Sequence, residues 1–278
     1  MRKTVSIADG IVLGGGDLAV MAGPCAVESR EQLFAAADAV ALTPACMLRG
    51  GAFKPRTSPR SFQGLGEEGL LLLAEASART GLPVVTEVLD PRDVDLVCRH
   101  AAMVQVGSRN MQNVPLLKEL GKVGKPVLLK RGAAATIDEL LAAADYVIEG
   151  GNDRVVLCER GIRGFDRGTR YVLDLAAVPV LKERCDLPVV IDPSHATGRA
   201  SLVAPMARAA VAAGADGLLI EVHADPEHAL CDGPQALAPT DFAILVDEIA
   251  RILAAFGRSF CRRTPYRPGN HRSEVIAP

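Results

Sequence analysis

Eight short apolar runs recur along the chain, each followed by a polar or glycine-containing turn and, in most cases, by a stretch of helical character. They are LAVMAG (18–23), ACMLRG (45–50), PVVTEV (83–88), MVQVG (103–107), PVLLK (126–130), RVVLCE (154–159), PVVIDP (188–193) and GLLIEV (217–222). Such runs do not alternate between a wet and a dry face. They predict strands buried on both sides, which is the signature of a parallel sheet covered by helices. Between them, SREQLFAAADAVA (29–41) begins with a Ser that can cap a helix and a Glu in its first turn. Residues 67–80, 135–149, 202–214 and 240–256 read similarly. Eight strand–helix units in about 240 residues match an α/β fold of the closed (β/α)8 TIM-barrel type. An open doubly wound sheet is the alternative, but GPCAVES after the first run lacks the glycine spacing of a dinucleotide fingerprint.

Two pieces fall outside the repeat. Residues 1–17 contain GGG and predict a short hairpin or plug at one end of the 18–256 barrel. Residues 257–278 are rich in Arg, Pro and Gly, have no periodicity, and predict a flexible, irregular tail. Neither is long enough to form a regulatory domain.

Composition narrows the functional classes. The chain is 49% hydrophobic and 23% charged, the balance of a globular protein with a large core. A net charge of −2 gives no global pull toward nucleic acid or an anionic membrane. An anionic ligand must therefore meet a local basic pocket. The first twenty residues hold no apolar run suited to a signal peptide or membrane span, so the cytoplasm is expected. The seven cysteines lack paired spacings, and Cys46, Cys98 and Cys158 read as small core residues in a reducing compartment. Cys25 sits in a different context.

In a barrel of this type, functional groups gather at the C-terminal strand ends. Reading those ends in order gives Cys25, then Arg49 and the loop KPRTS, then Glu87, Arg109, Lys130-Arg131 and Glu159-Arg160 with Arg163. Asp192 and His195 follow, then Glu221 and His223, and Asp232 in the next loop. Nearly every strand ends in a charged or metal-binding side chain. Arg49, Lys54, Arg109, Lys130 and Arg160 are cations beside buried strands, where an unpaired charge is costly. A solvated position would account for any one of them, but the five together point to a bound ligand with several negative charges. Arg offers forked donors for phosphate and carboxylate, and Lys a point charge. Cys25, His195, Glu221 and Asp232 form a mixed S/N/O donor set that suits Mn2+, Fe2+, Co2+ or Zn2+ rather than Ca2+. There is no Cys-x-x-Cys pair for a closed structural zinc site.

The segments AGPCAVES, LRGGAFKPRTSP, GLPVVTEVLDPRD, GSRNMQN, PVLLKRG, CERGIR, DPSHATGR, GADGLLIEVH and CDGPQAL, in this order, resemble 3-deoxy-D-arabino-heptulosonate 7-phosphate (DAHP) synthases. The nearest branch is the one related to 3-deoxy-D-manno-octulosonate 8-phosphate synthases. The resemblance spans about residues 18–245. It implies condensation of phosphoenolpyruvate with erythrose 4-phosphate, the first step of the shikimate pathway of aromatic amino acid biosynthesis. It further implies that Arg49, Lys54, Arg109, Lys130 and Arg160 bind phosphoenolpyruvate, and that Cys25, His195, Glu221 and Asp232 hold a divalent metal. Lys54, Pro55, Arg56 and Thr57 would contact the aldose phosphate, and KPRTS favours the four-carbon aldose over the octulosonate type. Cys25 marks the metal-dependent branch, whose metal-independent relatives carry Asn there. Lys54 and His195 are the candidates for moving protons, although a His195 that ligates the metal cannot freely act as a base. The family's habit suggests a homotetramer or dimer. With neither a ferredoxin-like domain nor a chorismate-mutase-like segment beside the barrel, inhibition by aromatic amino acids is not expected.

The chain departs from the family pattern at Arg60, at Ser108 (also a candidate substrate contact), and at Gly164, Gly168 and Tyr171 in the loop after the sixth strand. Neutral drift is one account of these. A changed aldose pocket, in a paralogue using another sugar phosphate, is the second. A non-catalytic sugar-phosphate-binding barrel is the third, and the intact cation and donor sets argue against it.

Overall fold

Parallel strands β3 (Ala19–Gly23), β4 (Met47–Arg49), β5 (Val84–Val88), β6 (Met103–Val106), β7 (Val127–Lys130), β8 (Val155–Glu159), β9 (Val189–Ile191) and β10 (Gly217–Glu221) pair in chain order, and β10 closes onto β3. The computed structural model that shows this closed barrel describes residues 3–8 and 10–262. Every residue of these eight strands is buried, which is why the sequence runs are predominantly apolar. Side chains alternate across the wall. Val20, Leu48, Val84, Val104, Val127 and Leu218 face outward to the helices. Met21, Met47, Val85, Met103, Leu128, Val156, Val190 and Leu219 fill the interior.

The helices are α1 (Arg30–Ala41), α2 (Glu67–Thr80), α3 (Val94–His100), α4 (Val114–Leu120), α5 (Ile137–Glu149), α6 (Ala177–Arg184), α7 (Pro193–Thr197), α8 (Ala200–Ala212) and α9 (Pro239–Ala255). Ser29 caps α1, its side chain accepting from the backbone N–H of Gln32. Thr136 and Glu139 form a capping box on α5. The long helices are the ones the sequence periodicity picked out. Helices α3, α4 and α6 have only seven or eight residues, too few turns to show a periodic apolar face.

Before the barrel, β1 (Val5–Ala8) and β2 (Ile11–Leu13) form the antiparallel hairpin expected at this end of the chain. Val5, Ile11 and Leu13 are buried in the same cluster as the interior barrel residues. Lys3 N–H donates to the carbonyl of Asp186, just ahead of β9, and Arg154, just ahead of β8, donates to that of Ser6. The hairpin therefore stoppers the N-terminal end of the barrel and leaves the opposite mouth open. Residues 257–262, placed by the sequence in a flexible tail, are instead tied to this stoppered end. Leu18 N–H donates to Ser259 O, Cys261 N–H to Leu18 O, and Cys261 Sγ to Val12 O. Composition missed this because the two bonds to Leu18 are backbone to backbone, available to any sequence. The rest of that expected tail, 263–278, lies outside the described residues. Among the described residues, no helix is long and apolar enough to cross a membrane.

Candidate active site

The turn that follows β9 is a complete small helix written into DPSHATG. Asp192 accepts from the His195 backbone N–H through Oδ1 (2.9 Å), and Pro193 occupies the first turn. Gly198, in the left-handed region at φ 67°, ends it. The helix carries His195 over the barrel mouth. Asp192 Oδ2 accepts from His195 Nδ1 at 2.8 Å, so the imidazole turns its Nε2 lone pair toward the centre of the mouth. Burial lowers the His195 pKa, more than Asp192 and Glu221 raise it, which keeps the ring neutral.

Around that Nε2 stand Cys25, at the end of β3, Glu221, at the end of β10, and Asp232. One donor atom from each of these four residues lies within 4.8 Å of every other. His195 Nε2 is 3.1 Å from Glu221 Oε1, 3.9 Å from Asp232 Oδ2 and 4.0 Å from Cys25 Sγ. Asp232 is the one non-glycine with positive φ (55°) among the described residues, a conformation Asp tolerates. The outward oxygens of both carboxylates are tied back: Gln235 Nε2 donates to Glu221 Oε2 (2.7 Å) and Arg170 to Asp232 Oδ1 (3.3 Å). One inward oxygen on each is left facing the thiol and the imidazole. Four such donors with a supporting shell could hold a divalent ion, and their S/N/O mixture would fit a borderline one.

Electrostatics agree with a site built around a cation. Burial, then Cys25, push the Glu221 carboxyl up to about 7. Burial raises Asp232 too, but His195, Arg170 and Lys54 outweigh it and hold it at about 2. The Cys25 thiol is pushed well up by its contact with Cys231 (Sγ–Sγ 3.3 Å) and by burial. Lys54 donates to Cys25 Sγ at 3.1 Å and so favours the thiolate.

Beside this cluster is a cavity of about 240 Å3 with a basic wall. Of the residues singled out from sequence, Lys54, Pro55, Arg56, Thr57, Ser108, Arg109, Lys130 and Arg160 line it, with His195 and Asp232. Lys130 Nζ is anchored on Asp192 at 2.5 Å. Arg109 and Arg160 have no carboxylate partner among the described residues. Arg49 is not on the wall. It is 3% exposed, behind the donor cluster, and donates to Glu221 Oε1 (3.1 Å) and the Pro24 carbonyl (2.7 Å).

Several charged strand ends serve the scaffold instead. Arg131 pairs with Glu159 and Asp174, both at 2.9 Å. His223 pairs with Glu28 at 3.4 Å, and Arg163 is exposed. Residues at the site that were not picked out by sequence include Arg170 and Ser61 on the cavity wall, Gln235 behind Glu221, and Cys231, whose sulfur accepts from Arg56 Nη1 at 2.5 Å.

The chain matches the model of the DAHP synthetase I family over residues 3–255. It is 48% identical over 256 residues to a phospho-2-dehydro-3-deoxyheptonate aldolase of Thermotoga maritima, covering 92% of this chain and 76% of that protein. A 2-dehydro-3-deoxyphosphooctonate aldolase of Desulfatibacillum aliphaticivorans is 34% identical over 257 residues, covering 85% and 93% of the two chains. Among solved structures, DAHP synthase of Thermotoga maritima superposes with a TM-score of 0.90 at 46% identity, covering 93% of this chain and 76% of that one. A truncated form of 3-deoxy-D-arabino-heptulosonate 7-phosphate synthase from the same organism gives 0.87 at 42% identity, covering 93% and 95%.

Proposed function

The chain belongs to the DAHP synthetase I family, and from that premise we infer that it is a metal-dependent 3-deoxy-7-phosphoheptulonate synthase. It condenses phosphoenolpyruvate with D-erythrose 4-phosphate to give DAHP and phosphate, the first step of the shikimate pathway. The observation that carries this reading is the junction of the basic cavity with the Cys25, His195, Glu221 and Asp232 cluster. An aldol-type condensation of two phosphorylated substrates needs both in one place. A seven-carbon product less the three carbons of phosphoenolpyruvate leaves a four-carbon aldose, in accord with the heptonate relative at 48% identity.

Carbon 3 of phosphoenolpyruvate attacks the aldehyde carbon. Carbon 2, left electron-deficient, takes up water, and the hemiketal phosphate so formed loses phosphate. Arg109, Lys130 and Arg160 hold the phosphate and carboxylate of phosphoenolpyruvate and steady the departing phosphate. Arg49 supports the donor cluster from behind through Glu221. Pro55, Arg56, Thr57 and Ser108 form the wall for the aldose phosphate. Cys25, His195, Glu221 and Asp232 would hold a divalent ion, which would supply Lewis-acid polarisation of the aldehyde carbonyl. Mn2+, Fe2+, Co2+ and Zn2+ all suit these donors.

Lys54 is the proton carrier. Burial would lower its pKa, but Cys25 and Glu87 outweigh that and raise it, so Lys54 is a cation and delivers a proton to the aldehyde oxygen as it becomes a hydroxyl. His195, with Nδ1 on Asp192 and Nε2 turned toward the donor cluster where it would ligate the ion, positions rather than shuttles.

The substrates are phosphorylated intermediates of central metabolism, and the cytoplasm is the compartment this reading calls for. Exposed Leu71 on α2 and Ile244 on α9 give apolar faces that suit a homo-oligomer, and light scattering checks its size. A paralogue serving an octulosonate-type aldose is the second reading, favoured by the octonate relative at 34% identity. A panel of four- and five-carbon aldose phosphates, assayed with phosphoenolpyruvate and each divalent metal, separates the two. The proposed function requires the highest kcat/KM with erythrose 4-phosphate.

A further inference from the structure

Arg160 is a sparsely held buried cation at the mouth. It is 5% exposed, its Nε has no hydrogen-bond partner, and among the described residues its polar contacts are a 3.5 Å approach to the His195 carbonyl and the Tyr171 phenol. A buried guanidinium with a free donor is arranged for an anion, and no carboxylate fixes where its donors point. What touches it is an aromatic ring. The Tyr171 ring centroid lies 4.4 Å from the Arg160 guanidinium carbon, and Arg170 approaches the same ring at 5.7 Å. Gly161 makes room: at φ 96° it runs so close that a β-carbon there would stand 2.7 Å from Tyr171 Cβ.

We propose that Tyr171 is a positioning residue for phosphoenolpyruvate: its ring holds the Arg160 guanidinium in the orientation that receives the substrate's anionic groups. This rests on the proposed synthase function and on Arg160 belonging to the phosphoenolpyruvate end of the cavity. Cation–π attraction strengthens where water is excluded, as it is around Arg160. A stacked ring also leaves the in-plane N–H donors free, which a carboxylate partner would occupy. The phenol shows the same crowding by cations. Burial would raise its pKa, but the charge of Arg160 and its hydrogen bond to the phenol, with Arg170 and Arg109, outweigh that and bring it below the ordinary value.

The backbone at this point does not depend on the side chain. Tyr171 N–H donates to Ala196 O (2.8 Å), Arg170 N–H to Thr197 O (3.0 Å), and Ile162 and Val172 exchange two hydrogen bonds of 2.9 Å. Truncating the ring should therefore leave the loop, and the α7 helix it braces, in place.

The experiment is steady-state kinetics of wild type, Tyr171→Phe and Tyr171→Ala, with inorganic phosphate as the competitive probe of the anion site. Tyr171→Ala should raise KM for phosphoenolpyruvate and Ki for phosphate roughly tenfold, the scale of a desolvated cation–π contact. Its kcat should stay within about threefold of wild type, and KM for the aldose should be unchanged. Tyr171→Phe keeps the ring and should restore both constants to within about threefold of wild type. A wild type inactive with phosphoenolpyruvate and erythrose 4-phosphate would sink the functional reading, not this one. An active wild type whose Ala variant keeps its KM, or shifts only the aldose KM, would overturn the positioning role. So would a Phe variant as impaired as Ala.

Discussion

Asp192 holds His195 by both carboxylate oxygens, Oδ1 on its backbone N–H (2.9 Å) and Oδ2 on its ring Nδ1 (2.8 Å). The first bond starts helix α7 and the second fixes the ring's tautomer, so one residue sets both where the imidazole stands and which nitrogen is free. Lys130 Nζ, 2.5 Å from the same Oδ2, links this pair to the cavity wall. An Asp192→Asn variant keeps the size but can turn an N–H toward Nδ1, which forces the proton onto Nε2. Metal affinity should fall roughly ten- to a hundredfold, the usual cost of losing such a partner. Chelator-competition titration measures it, and an unchanged affinity would remove Asp192 from the account.

The aldose end of the cavity is tested at Arg56, whose nearest partner in the structure is the Cys231 sulfur rather than a carboxylate. Arg56→Ala should raise KM for erythrose 4-phosphate by roughly ten- to a hundredfold, the value of one charge-assisted hydrogen bond of about 1.5–3 kcal/mol. KM for phosphoenolpyruvate should change far less. Equal effects on both would mean that the two ends of the cavity are not divided as proposed.

Metal binding should depend on pH through Glu221, which burial and Cys25 push up to about 7 in the metal-free protein. Only the ionised carboxylate ligates, so protons compete below that pH. From this group alone, affinity should be level above pH 7 and fall by up to about tenfold per unit below it. The linkage runs the other way for the metal-free fold. Glu221 holds its proton more tightly folded than unfolded, so its contribution to stability is full below the ordinary carboxylate value and is lost as pH rises through 7. Metal affinity that is flat between pH 6 and 8 would contradict this.

The hairpin stopper offers a change of stability without a change of chemistry. Leu13 is fully buried at the end of the barrel away from the mouth. Leu13→Ala should cost about 2–5 kcal/mol in urea unfolding, the range for a large-to-small core substitution. Both KM values should be unaltered. A shift in either would mean that the interior layers transmit strain to the mouth.

The barrel was legible because its strands are buried on both faces, so each appears in sequence as a predominantly apolar run, most with a charged residue at or just beyond the end. Which of those end charges reach the cavity was not legible. Lys130 and Arg131 are neighbours, yet Lys130 lines the cavity while Arg131 pairs with Glu159 and Asp174 on the scaffold. Adjacent residues on a strand point to opposite faces, and a position uncertain by one residue exchanges the two roles. Arg170 and Tyr171 are carried back to the mouth by a loop closed by the bridge between Ile162 and Val172, a pairing between residues ten apart whose register the Gly and Asp of the turn do not specify. In sequence, Tyr171 was visible only as a departure from a family pattern. Asp232 came with its motif, but its left-handed backbone, which helps to aim the carboxylate, belongs to the folded loop.

The central claim is that the basic cavity and the four-donor cluster together condense phosphoenolpyruvate with erythrose 4-phosphate. Its most direct test is phosphate release by the purified chain given both substrates, with a divalent metal supplied and then with a chelator in excess. Phosphate should appear only when both substrates are present, in step with a seven-carbon keto-acid phosphate. It should stop with the chelator and resume when Mn2+, Fe2+, Co2+ or Zn2+ is restored. No release with any of these metals, or release that the chelator leaves untouched, would contradict the account.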